Sequence, residues 1–189
     1  MNTKDKILLV SYDYYTKYGE FFSLSQIAEE LGIKKQSIYS HFKNKDELLR
    51  TMLYQAVGNY LLQINQEFEA AKDLPIKNRL YKMGIKFIEF NADEKNFKTR
   101  KWLAISKENF PFIDDMLSQS SHELDLLMDT VFEDGIKNNQ LKDLPPQTMR
   151  KTYIYMIRGI IDNIMPSKLD ENLDIFEEVF EFFYASIEK

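Results

Sequence analysis

Residues 23–53 constrain the fold more tightly than any other stretch, because two short apolar-patterned segments meet at a glycine and a longer, capped segment follows them. Ile27, Ala28 and Leu31 fall on one face of a first helix, Ile33 follows the corner, and Ile38 and Phe42 stand four apart on a second helix. Three short segments patterned in this way can close on one small core. Gly32 permits the positive φ that a tight helix-to-helix corner needs. Ser23 with Gln26, and Asn44 with Glu47, have the capping-box spacing that starts a helix. Such a core leaves Lys34, Lys35, Gln36, Ser37, Tyr39, Ser40, His41, Lys43 and Lys45 outside, a run of donors suited to phosphates and base edges.

The chain of 189 residues carries a formal charge of −5, which on its own argues against a general nucleic-acid binder. Distribution reverses that impression. Residues 1–50 hold eight Lys or Arg against seven Asp or Glu, the remainder holds seventeen against twenty-three, and residues 34–50 alone hold five against two. The acid lies away from the candidate head, and a local excess of base is what a phosphate-contacting surface requires. A hydrophobic content of 44% supports a real core.

Glycine and proline are sparse, and most sit where they punctuate helices: Pro75 can open one, while Pro111, Pro145-Pro146 and Pro166 separate later ones. Between them the apolar spacing is helical. Ile76, Leu80, Met83, Phe87 and Phe90 form one stripe, and Ile113, Leu117, Ser120, Leu124, Leu127 and Val131 form another. No segment of comparable length alternates with period two, so the pattern predicts an all-α fold of about nine helices, at 3–18, 24–31, 35–41, 45–70, 75–93, 96–109, 112–138, 147–165 and 170–188.

Residues 7–53 resemble the N-terminal domain of the TetR (tetracycline-repressor) family of bacterial transcription regulators. The resemblance rests on Gly19, Ile27-Ala28, Gly32-Ile33, Tyr39-Ser40-His41-Phe42 and Lys45-Asp46-Glu47-Leu48, a combined string far more specific than any one of its pieces. The chain departs from the family pattern with Ser11 in place of a small Ala, with Tyr14-Tyr15 in place of a Leu-Phe pair, and with a shorter stretch between Gly19 and Ile27. Lys34 also replaces the Ser or Thr that usually opens the second helix of the motif, adding charge and removing a cap. The resemblance implies a three-helix helix-turn-helix DNA-binding domain over 1–46 and a helical ligand-binding and dimerisation domain over 47–189.

An α-helix fits the major groove with residues near its N-terminus reaching base edges while flanking groups hold phosphates. On that geometry Gln36 can pair with adenine and Lys35 with guanine, with Ser37 and Tyr39 beside them. The resemblance assigns Tyr39, His41 and Lys45 mainly to the DNA backbone. Ser23, Ser25, Lys34 and Ser40 complete the expected DNA-contacting set. A solvated charged face without a partner is the competing reading.

The middle helices are rich in aromatic residues and methionine, and in similar regulators this region encloses a small-molecule pocket. Met83, Phe87, Phe90, Trp102, Ile105, Phe110, Met116 and Met128 are the expected lining, an adaptable apolar surface suited to a lipophilic inducer, although large residues at this spacing also serve as plain core. Asn91, Glu108 and Asn109 are polar groups that could converge there, and a buried Glu108 would favour a cationic ligand. Near the C-terminus, Tyr153, Ile157, Ile160 and Ile164 line one face, and Phe176, Phe180 and Phe183 line the next. That is more apolar surface than one helix normally buries against a single neighbour, so a homodimer built on these residues is expected, with an intramolecular core as the alternative.

No constellation suggests catalysis. The chain has no cysteine, its two histidines are isolated at positions 41 and 122, and neighbouring carboxylates such as Asp114-Asp115 point about 100° apart on a helix. We therefore expect no enzyme activity, no metal and no cofactor. Neither a membrane span nor a secretion signal is evident, which places the expected protein in the cytoplasm. The expected function is a ligand-responsive repressor, released from a palindromic double-stranded DNA operator by a small lipophilic inducer. The alternatives are an adaptor whose body binds another protein, and a helical lipid carrier or enzyme with an inert head.

Overall fold

A computed structural model describes residues 1–189 and is all-α. Its helices are α1 (Thr3–Tyr18), α2 (Leu24–Glu30), α3 (Lys35–Tyr39), α4 (Lys45–Ala71), α5 (Ile76–Ala92), α6 (Glu94–Ser106), α7 (Phe112–Lys137), α8 (Pro146–Asn163) and α9 (Leu169–Ile187). Single 3-10 turns occupy Gly19–Phe21 and Pro166–Lys168. The nine helices stand where the apolar spacing predicts them, with the largest difference at the end of α6. That helix stops at Ser106 because the amides of Asn109 and Phe110 both donate to the Ser106 carbonyl, turning the chain ahead of Pro111.

The chain divides into two compact units, Met1–Tyr60 with Phe97–Ser118, and Leu61–Asn96 with Gln119–Lys189. This division differs from a boundary at residue 46, because α4 and α7 each contribute residues to both units. The first unit closes on Ile7, Leu8, Tyr15, Phe22, Ile27, Ala28, Ile38, Phe42, Leu48, Leu49, Met52 and Leu53, joined by Leu103, Phe112, Ile113 and Met116. Burying a side chain of this size stabilises by about 1.5–3 kcal/mol, so the small head draws much of its core from later in the chain.

In the second unit α5 packs on α8 and α9. Phe132, Tyr153 and Phe183 make edge and tilted ring contacts with centroids 5.7–6.5 Å apart. Tyr153 is wholly buried and donates its hydroxyl to the Leu80 carbonyl at 2.6 Å, and burial pushes its pKa well above the ordinary tyrosine value. Two arginines are held inside by acids: Arg150 by Asp125 and Asp129, and Arg79 by Asp134 at 3.1 Å with the Phe68 ring on its other side.

Tyr153, Ile157, Ile160, Ile164, Phe176, Phe180 and Phe183, the residues expected at a contact between protomers, are all buried within this one chain. Within the chain they take part in the intramolecular core that was the alternative expectation. Two apolar helices lie against α5 rather than against one neighbour each, so three helices share the surface that appeared to be in excess.

Gly84 marks the closest approach inside this unit, since a Cβ added there would stand 2.0 Å from Cζ of Phe176. The ring cannot yield easily between Tyr81 and Phe180, whose centroids lie 5.6 and 5.4 Å away. Gly84→Ala should therefore lower stability by about 2 kcal/mol, overpacking outweighing the roughly 1 kcal/mol that alanine gains in a helix. The urea midpoint measures this, and Phe176→Leu in the same chain should restore part of the loss.

Candidate nucleic-acid interface

Ser23 starts α2 by accepting from the Gln26 amide at 3.2 Å, while Gln26 Oε1 accepts from the Ser23 amide at 2.7 Å, a reciprocal box that fixes the entry angle. At the other end Gly32 takes φ +63, its amide donates to the Glu29 carbonyl, and the Ile33 amide donates to Ala28 at 2.9 Å. These bonds close the helix C-terminus and turn the chain sharply into α3. Ile38 and Phe42 seat the next segment in the core at 0% and 3% exposure. α4 then starts at Asn44, whose Oδ1 accepts from the Glu47 amide at 2.8 Å, while Glu47 reaches past the cap to accept from the Lys43 amide at 2.6 Å.

Held by that frame, Lys34, Lys35, Gln36, Tyr39, Ser40 and His41 are exposed, as are Ser23 and Ser25 on the preceding helix. Ser37 is half-buried, and Ser40 donates its hydroxyl to the Ser37 carbonyl at 2.8 Å. Lys34 makes no side-chain cap, consistent with the loss of the usual hydroxyl there. Lys45 is placed differently from the other bases. It is half-buried, its ammonium donates to the Glu20 carbonyl, and it lies 4.7 Å from the centre of the Phe22 ring. Desolvation lowers its pKa, and the charges of Glu20 and Asp46 oppose that shift.

Two further bases belong to the same surface. Lys43 is exposed beside His41, and Lys4 of α1 stands 5.6 Å from the centre of the Phe42 ring. Lys4 lies outside the motif, and only its early place in an amphipathic helix could have pointed to it.

The remainder of the first unit fastens the head from behind. Trp102 of α6 donates from its indole to the Thr16 carbonyl at 3.3 Å and lies against Gly19. The Tyr12 hydroxyl bonds Thr99 at 2.9 Å, Tyr15 donates to Ser106 at 3.3 Å, and Asn109 donates to Glu20 Oε1 at 2.6 Å. Arg50 lies 4.5 Å from the centre of the Phe112 ring, which Tyr54 also stacks upon.

The residues expected to line a ligand pocket divide between the units. Met83, Phe87, Phe90 and Met128 are in the second, the first two and Met128 buried. Trp102, Ile105, Phe110 and Met116 are in the first, where Met116 is core, Trp102 and Phe110 pack against that core, and Ile105 is half-exposed. Of the polar candidates, Asn91 donates to the Phe87 carbonyl, Asn109 turns to Glu20, and Glu108 is exposed rather than buried. No helix is long and apolar enough to cross a membrane.

Residues 20–52 match the family model described as bacterial regulatory proteins, tetR family. No curated protein sequence matches the chain. Among solved structures, a Mesorhizobium loti protein described as a TetR-family transcriptional regulator superposes with a TM-score of 0.80 at 14% identity, covering 98% of this chain and 96% of its own. A TetR transcription regulator from Haloarcula marismortui gives 0.78 at 14% identity, covering 98% of both chains. A transcriptional regulator from Saccharomonospora viridis, solved in complex with choline, gives 0.74 at 15% identity over 98% of this chain and 97% of its own.

Proposed function

We propose that this chain, which carries the TetR-family N-terminal domain on the TetR-family fold, is a homodimeric repressor that a small inducer releases from a palindromic DNA operator. The observation that carries the reading is the exposed row Lys34, Lys35, Gln36, Tyr39, Ser40, His41 and Lys43, set on a helix-turn-helix whose corner at Gly32 and whose caps at Ser23 and Asn44 are hydrogen-bonded. A solvated face has no need of so closely specified a frame. No catalytic role is assigned to any residue, and the protein acts in the cytoplasm, where its DNA lies.

The second copy of the chain meets α8 and α9 through side chains that the intramolecular core does not use. Ile175, Val179 and Phe182 stand at i, i+4 and i+7 on α9, and Phe182 is 83% exposed. Tyr155 of α8 is exposed with Lys151 and Arg158 on the same helix, and Glu178 is exposed on α9. In a two-fold contact basic α8 faces acidic α9 of the other copy, and Gly159, with open space around it, allows the helices to approach. Two-fold symmetry presents two heads to two half-sites.

The inducer lies among the apolar residues of the body, Met83, Phe87, Phe90 and Met128 foremost; that a small molecule binds at all is supported by the choline complex of the Saccharomonospora viridis protein, which shares the fold. Release is a population shift: the ligand must bind the DNA-free arrangement more tightly than the DNA-bound one.

Selection of bound fragments from genomic DNA supplies the operator, and substitutions then sort the contacts. Gln36→Ala should relax preference at one base position by about 1–3 kcal/mol. Lys35→Ala should do the same at a guanine. A protein that retains no fragment above background, or whose affinity ignores both changes, contradicts the reading.

A further inference from the structure

Glu20 is a carboxylate with 9% exposure, and it has few partners. Oε1 accepts from Asn109 Nδ2 at 2.6 Å, and Oε2 is buried without a hydrogen-bond partner. Burying a charge on a single neutral donor is costly unless a cation lies close by. The nearby cation is Lys45, whose ammonium donates to the backbone carbonyl of the same Glu20 and rests on the Phe22 ring at 4.7 Å. An ammonium has three donors, so the bond to Glu20 fixes its position and leaves donors for another acceptor. A lysine tethered in advance gives up less rotamer freedom on binding than one free in solvent.

We propose that Glu20 and Asn109 are positioning residues for Lys45: the Asn109 amide anchors Glu20, and the Glu20 carbonyl sets the Lys45 ammonium where a DNA phosphate meets it. The inference rests on the DNA-binding reading above. It extends the interface to a residue sixty-four positions downstream of Lys45 that touches no DNA itself.

The test is a double-mutant cycle on the full-length protein, titrating a short fluorescein-labelled duplex of random sequence across a salt series, since phosphate contacts are sequence-independent. Lys45→Ala should weaken binding and flatten the dependence of log K on log salt by about 0.9. Asn109→Asp has the shape of asparagine but cannot donate to Glu20, and should lower affinity about threefold at moderate salt. In the Lys45→Ala background the same change should do nothing more. Equal losses with and without Lys45, or an Asn109→Asp protein that binds like wild type, overturn the link while leaving DNA binding intact. A wild-type protein with no affinity for the duplex overturns the reading beneath it as well. A second measurement does not depend on DNA: the Lys45 side-chain carbon resonance, identified by its loss in Lys45→Ala, should move in Asn109→Asp, and an unmoved resonance counts against the proposal.

Discussion

Phe182→Glu should convert the protein into a monomer and lower its affinity for a two-half-site operator about a hundredfold or more. The side chain is 83% exposed on α9, in line with Ile175 and Val179, and its own chain offers it no cover. Two heads on one dimer bind the second half-site at a high effective concentration, and that gain, typically about 10²–10⁴, vanishes when protomers part. The substitution places a carboxylate in the middle of the proposed apolar contact and beside the acidic residues that already line α9. Stability of the single chain should hardly change, because no intramolecular contact is removed. Sedimentation velocity gives the mass and a half-site duplex gives the control, since one head should bind one half-site as before. Leu62→Glu, at another exposed apolar position, 56% exposed on α4, should leave the dimer intact. A Phe182→Glu protein that sediments as wild type would show that the protomers meet elsewhere.

The same residues show how far the sequence could be read. Helical spacing located every helix because large apolar residues recur at three and four throughout, and the prolines, with Gly19 and Gly32, stand at helix ends while the other four glycines lie inside helices. The helix-turn-helix was legible for a stronger reason: capping pairs, a corner glycine and core positions all agree within thirty residues. The C-terminal helices left one point open in the sequence. Phe176, Phe180 and Phe183 have the same composition and spacing whether the partner is α5 or another copy, and only the packing, with Gly84 admitting the Phe176 ring, decides between them. Lys45 was legible as a base at a helix start, but its bond to Glu20 was not, since residues 20, 45 and 109 are brought together by tertiary structure alone.

Gly19→Ala should cost about 4 kcal/mol and unfold much of the first unit at ordinary temperature. Gly19 has φ +60 and ψ −139, a conformation essentially restricted to glycine, and forcing a side chain there costs about 1–3 kcal/mol. An added Cβ would also stand 2.3 Å from Cε3 of Trp102 and within 2.7 Å of two more ring atoms. The indole cannot swing aside without losing its bond to the Thr16 carbonyl and its edge contact with Phe21, so overpacking adds about 1–3 kcal/mol more. Against a typical total of about 5–15 kcal/mol, the sum is decisive for a head this small. Trp102 is the one tryptophan of the chain, so its emission reports this contact directly and should shift to the red in the variant. Trp102→Ala in the same chain separates the two causes: it removes the clash and leaves the backbone strain, so Gly19→Ala should cost less there than in the wild-type background. An equal cost in both backgrounds would assign the whole effect to φ, and a negligible cost in either would mean that the corner is not held as described.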